Sequence, residues 1–174
     1  TVFDMLTIEV IHGEPDSALV KPGTVALSAS LAAKYFGEGN PVGQTIKINN
    51  NLNKVTAVFR DIRTHSHLQL NYMISFASTG WDGVMQDNWR RQQIITLLKL
   101  KPGTDALALQ SKFPALVERY AAKQLKEASM YYTPYLQNIR DIHLHSTNFE
   151  WDMAQKGDAQ SVYILVATAI MIML

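Results

Sequence analysis

The chain has no cysteine, which excludes disulfides and thiol catalysis and leaves any metal site without cysteine ligands. An excess of one charge is missing too: sixteen Lys and Arg stand against fifteen Asp and Glu, for a formal charge of +1. No whole-chain field would therefore gather nucleic acid or an anionic surface. The opening TVFDMLTIEV has neither a basic leader nor a long apolar core, so it is not a signal peptide, and export would need a segment ahead of Thr1. Catalytic signatures are scarce as well. There is no nucleophile elbow and no carboxylate pair at a spacing that marks acid–base chemistry, and Asp61 and Asp141 stand alone. The expected catalytic, cofactor-binding and metal residues are accordingly none.

What is present is an ordinary globular composition, 47% hydrophobic and 18% charged over 174 residues, enough for one core or two small lobes. Residues 161–174, SVYILVATAIMIML, carry no charge at all. As a helix they would cover roughly 21 Å against the roughly 30 Å hydrocarbon core of a bilayer, about six residues short of a span. They read as the start of a transmembrane helix cut by a fragment boundary, residues 1–160 being an extramembrane body. The competing reading is a buried C-terminal helix of a water-soluble fold.

Residues 3–11 mix helical and alternating spacing, and helix or strand stays open there before Gly13-Glu14-Pro15-Asp16 breaks the run. Residues 24–27 predict a strand, Ser28 the cap of a helix to Phe36, and Gly37 its left-handed stop. Ile46 and Ile48 alternate with polar residues, Asn49-Asn50-Asn51 supplies a reversal, and Val55, Ala57 and Phe59 alternate on the return, which predicts a hairpin. Residues 68–76 read as a strand, 77–93 as a long connection holding Trp81 and Trp89, and 94–100 as a strand covered on both faces. Leu109, Phe113, Leu116, Val117, Tyr120 and Gln124 recur at steps of three and four, so a helix over 105–126 is expected, bent or divided by Pro114. Residues 131–145 read as extended. The fold class is α+β with mixed sheets.

Residues 37–45 superficially resemble a phosphate loop, but a Walker loop would need glycine at Glu38 and lysine at Gln44. A helix stop followed by a turn explains them better. His143 and His145, like His65 and His67, would share a face on a strand and approach one metal; half-exposed polar positions are the plainer account. Trp81, Trp89, Arg90 and Arg91 are too local a cluster for nucleic acid, and loop tryptophans more often pack the loop down.

The chain resembles the extracytoplasmic core domain of MacB/FtsX-like ABC transporter permeases. The matching stretches are Phe3-Asp4-Met5-Leu6 through Gly13, Val25-Ala26-Leu27-Ser28 and Ala32-Ala33-Lys34-Tyr35-Phe36-Gly37, then Asn40-Pro41-Val42-Gly43-Gln44-Thr45-Ile46 and Val55-Thr56-Ala57-Val58-Phe59-Arg60-Asp61. Ser66-His67, Leu100-Lys101-Pro102-Gly103-Thr104-Asp105 and Asp141-Ile142-His143-Leu144-His145-Ser146 follow. The resemblance implies a domain of two lobes, a porter-like βαβ lobe and an inserted hairpin-rich one, facing the periplasm from the bacterial inner membrane, followed by the second transmembrane helix. It implies a cytoplasmic ABC ATPase subunit, a permease dimer or second permease half, and a periplasmic partner protein; no nucleic acid, cofactor or catalytic residue is implied. The two chain ends would then lie at one end of the domain. A membrane-tethered sensor is the alternative and would show a deep, polar-lined pocket; an envelope hydrolase would show a carboxylate or histidine constellation.

Overall fold

The computed structural model describes residues 1–63, 66, 68–80, 88–90, 95–146 and 157–173. Thr24–Ser28 (β2) is buried at every residue, the condition of a strand with layers on both faces. Asn51–Phe59 (β4) runs parallel to it, Val25 facing Val55 and Leu27 facing Val58. The other edge of β4 is shared end to end by two antiparallel strands. Thr45–Ile48 (β3) pairs with residues 51–54 and Val10–Gly13 (β1) with residues 57–59. Tyr72–Ile74 (β5) lies antiparallel on the far side of β2. The result is a five-stranded mixed sheet, in the order β1-β4-β2-β5 with β3 on β4, and with its helices an α+β fold.

Residues 3–11, open between helix and strand in the sequence, are both. Val2–Leu6 (α1) is held by a capping box between Thr1 and Asp4 and stops at Thr7, whose φ of 55° is left-handed; β1 follows. The predicted hairpin is present. Asn49 and Asn50 take φ of 48° and 67°, the two positive values that a tight reversal between twisted strands requires and that asparagine tolerates.

The return strand departs from simple alternation. Pairing advances from Val25–Val55 to Ala26–Ala57, so Thr56 is one extra residue, a bulge that resets which face each later side chain meets. Val55 and Val58 pack with Val25, Leu27 and Ala32 on one face, while Ala57 and Phe59 pack with Phe3, Ala18 and Ala26 on the other. The Thr56 hydroxyl donates toward the carbonyls of Ala18 and Val25. Gly13 abuts the same residue: its φ is +91°, and a Cβ there would stand 2.2 Å from the Thr56 carbonyl oxygen. Phe3 and Phe59 meet at a ring separation of 6.5 Å beneath this junction. Each fully buried Phe, Leu or Val contributes about 1.5–3 kcal/mol of transfer free energy, so the two faces of β2 and β4 supply most of the sheet's cohesion.

Ser28 caps Ala29–Phe36 (α2) as expected, accepting from the Leu31 amide at 3.3 Å. Gly37 ends the helix at φ 72°, ψ −157°; this is glycine territory but not the left-handed helical conformation expected of it. The strand expected over 68–76 shrinks to β5, because β2 offers pairing only over its own five residues, and a 3-10 turn, Phe76–Ser78, follows. The expected helix is divided. Asp105 caps Ala106–Gln110 (α3), the chain breaks at Ser111 and Lys112, and Phe113–Glu127 (α4) carries Pro114 in its first turn. Proline has no N–H and its ring would collide with the carbonyl four residues back, that of Gln110, so the earlier helix ends there. The buried stripe of α4 is also rotated. Ala121 and Leu125 are covered, while Leu116 and Tyr120, expected in the core, are 43% and 59% exposed. With α3 uncoupled, the spacing of four through Phe113, Val117, Ala121 and Leu125 decides the covered side.

Residues 95–100 correct the expected doubly covered strand: they form no ladder, and five of the six are exposed. Apolar composition gives burial only where a pairing edge and two layers exist, and the sheet offers them no such slot. Residues 131–138 hold no regular secondary structure, and Ile142–His145 (α5) is helical where extension was expected. Ala159–Met173 (α6) buries none of its residues.

Replacing Gly13 by alanine should cost about 3 kcal/mol in denaturant unfolding, through the left-handed φ and the clash with Thr56. Thr56→Val, which keeps the shape and strands two carbonyls, should cost about 1–2 kcal/mol. Unfolding midpoints unchanged in both variants would show that the bulge does not hold β1 to β4.

Candidate functional site

Residues 37–45 use their amides locally. Val42 N–H donates to Asn40 Oδ1 at 3.0 Å, Gln44 N–H to the Pro41 carbonyl at 3.0 Å and Gly43 N–H to the Val55 carbonyl at 2.8 Å. These bonds shape the turn into β3, and donors so engaged cannot converge on a phosphate. His143 and His145 sit on α5, both exposed. Two residues apart on a helix they diverge by about 200°, which corrects the shared strand face expected of them. His65 and His67 lie outside the described residues, and among those described no cluster of three His, Asp or Glu could hold a metal.

Trp81 and Arg91 also fall outside the described residues. Trp89 packs its loop down, with its ring 6.0 Å from that of Tyr132 and its backbone N–H donating to Gln124 Oε1 at 3.1 Å. Arg90 bonds to Glu127 at 3.1 Å, so it is engaged on the protein itself. Asp141 precedes α5 without a side-chain cap bond.

Asp61, uninformative in the sequence, has a defined role. Leaving the end of β4, it accepts from the Ser30 amide at 3.1 Å and the Ser30 hydroxyl at 2.6 Å. With Ser28 it satisfies the first turn of α2 and ties that helix to the strand beside it. The signal was in the sequence as Ser28-Ala29-Ser30 opening a helix, but only the parallel pairing of β2 and β4 delivers Asp61 to that end. These bonds, the Ser30 hydroxyl foremost, hold the Asp61 carboxyl below its ordinary value of 3.8.

The remaining features are surfaces. An open depression of about 480 Å³ is lined by Phe3, Asp4, Thr7, Ile8, Glu9 and Lys99. Beside it Glu9 and Arg60 form a two-pronged ion pair at 2.6 and 2.9 Å, reinforced by the Arg60 N–H on the Glu9 carbonyl at 2.8 Å. This pair lowers the Glu9 carboxyl, mainly through the Arg60 hydrogen bond. The second feature is α6. Asp158 accepts from the amides of Gln160 and Ser161 to start it, and fifteen residues without a charge then follow, about 22 Å of helix. Ile164, Leu165, Met171, Ile172 and Met173 are each 65% exposed or more. No helix among the described residues is long and apolar enough to cross a membrane.

A family model described as the MacB-like periplasmic core domain matches residues 1–116. No curated protein matches the chain. Among solved structures, a domain assigned to a permease of Porphyromonas gingivalis is similar at a TM-score of 0.55 and 23% identity, over 72% of this chain and 58% of that one. The periplasmic region of MacB from Actinobacillus actinomycetemcomitans gives a TM-score of 0.46 and 17% identity, over 76% of this chain and 63% of that one. The chain thus spans less than two thirds of either structure, and the first likeness is one of fold.

Because the folded Asp61 carboxyl titrates below its unfolded value, its contribution is fully present above about pH 4 and is lost as pH falls through the folded value. Asp61→Asn should cost at most about 1 kcal/mol at pH 7, since the group is largely solvated. It should also flatten the acid limb of the stability–pH curve. An acid limb identical to that of the parent would remove Asp61 from the cap.

Proposed function

The chain belongs to the family of MacB-like periplasmic core domains, and from that premise we propose that it is the periplasm-facing part of an ABC transporter permease in the bacterial inner membrane. In this reading residues 1–160 form the body, in two lobes, and residues 161–174 begin a membrane helix. The body binds substrate or partner proteins and follows ATP-driven movements of the helices. ATP is hydrolysed by a separate cytoplasmic subunit, and a second permease or permease half completes the assembly. The domain is a mechanical and binding element, not an enzyme.

The observation that carries the attachment is α6. An uncharged helix with no buried residue leaves a large apolar area in water, at about 25 cal/mol for every Å² that a bilayer would otherwise cover. A body that follows such a helix must be stiff. The fully buried strand β2, the hydroxyl-locked bulge and the Asp61 tie between α2 and β4 support that role. The open shape of the depression beside α1 and β1 favours a contact surface over the deep polar pocket that a ligand sensor needs.

The absence of cysteine from these 174 residues simplifies a direct test. A spin label placed by Lys34→Cys on α2, an exposed position, should report a changed distance distribution between the two permease copies of the assembly when the reconstituted permease and its ATPase pass from nucleotide-free to ATP-bound. A distribution indifferent to nucleotide would end the transmission reading.

A further inference from the structure

Helix α4 presents a second surface. At about 100° per residue, Tyr120, Leu116, Lys123, Lys112, Arg119 and Lys126 succeed one another across about 120° of its circumference, facing away from the covered stripe of Ala121 and Leu125. All six are exposed. The Arg119 guanidinium lies 5.2 Å from the Tyr120 ring centre. None of the four cations has an ion pair among the described residues. The one acid within the arc, Glu127, is bonded to Arg90, and Glu118 falls outside it. Two apolar side chains bordered by four cations that have no ion pair among the described residues, on a chain whose formal charge is only +1, make a local field that the total conceals.

We propose that this arc of α4 is a contact surface for anionic phospholipid headgroups, engaged when α6 holds the domain at a membrane; the inference rests on that reading of α6. Charge complementarity selects an anionic partner. The form of the arc selects a lipid surface over an acidic protein. A specific protein contact needs a desolvated anchor in a pocket and about 1,000 Å² of matched surface, whereas Leu116 and Tyr120 are two half-exposed side chains. Four flexible cations spaced along about four turns suit a diffuse plane of charge, and their apolar neighbours suit the headgroup boundary. The chain's own apolar helix supplies the proximity, so a weak local attraction becomes an intramolecular event.

The test uses the full chain and two vesicle preparations, phosphatidylcholine alone and phosphatidylcholine mixed with phosphatidylglycerol. Anionic vesicles should bind at least about tenfold more tightly, as several basic side chains near a charged surface imply. High salt should erase that gain. The triple variant Lys112→Glu, Arg119→Glu, Lys123→Glu should lose the gain and keep the parent's affinity for neutral vesicles; the milder triple change to Gln covers the case in which charge reversal disturbs folding. Equal affinity for both vesicles in the parent, or a gain that survives both triple variants, overturns the inference and leaves α6 as the anchor. Failure to bind either vesicle overturns the anchoring itself. Variants with unchanged vesicle affinities that no longer capture an acidic protein in the assembled permease would reassign the arc to that protein.

Discussion

One close approach organises the sheet: the backbone of Gly13 lies against the carbonyl of Thr56, at the point where β4 carries its extra residue. Because a side chain at residue 13 would collide there, β1 can reach the edge of β4 only as glycine. Because Thr56 is inserted, the apolar residues of β4 divide between two faces and not one. Phe59 is thereby turned toward Phe3 and α1, while Val55 and Val58 are turned toward α2. Both layers of the fold depend on that change of phase.

The same junction explains how a short sheet can act as a stiff body. β4 is bonded along one edge to β2 and along the other to β3 and β1 in succession, so three strands report to one. Asp61, just beyond the end of β4, then fixes the start of α2. A displacement of the chain near α1 would be passed to α2 through backbone hydrogen bonds and a charged cap, with little side-chain rearrangement. Core packing of this density yields as a unit.

Much of this frame was legible in the sequence. Residues 24–28, the capping serine, the paired asparagines and the dividing proline each carry a local physical signature, and each forms the element it predicts. The failures share another cause. Residues 95–100 are apolar enough for a core strand, but pairing edges and covering layers are properties of the whole sheet that a six-residue pattern does not contain. The bulge at Thr56 was invisible because it preserves the appearance of alternation while reversing its sense. His143 and His145 share a face only on the period of a strand and lie instead on a helix, and Asp61 becomes informative only once two strands distant in sequence lie parallel. The basic arc was hidden in a near-neutral total, since an average over a chain says nothing about one side of one helix.

Pro114 leaves a seam at residues 111 and 112, where α3 has ended and the Lys112 carbonyl accepts the first bond of α4 from the Leu116 amide. Rotation cannot propagate across it: a residue gained or lost within α3 would turn α3 about its axis without advancing the stripe of Phe113, Val117, Ala121 and Leu125. The angular setting of α4, and of whatever its outer side faces, is thus insulated from length changes upstream.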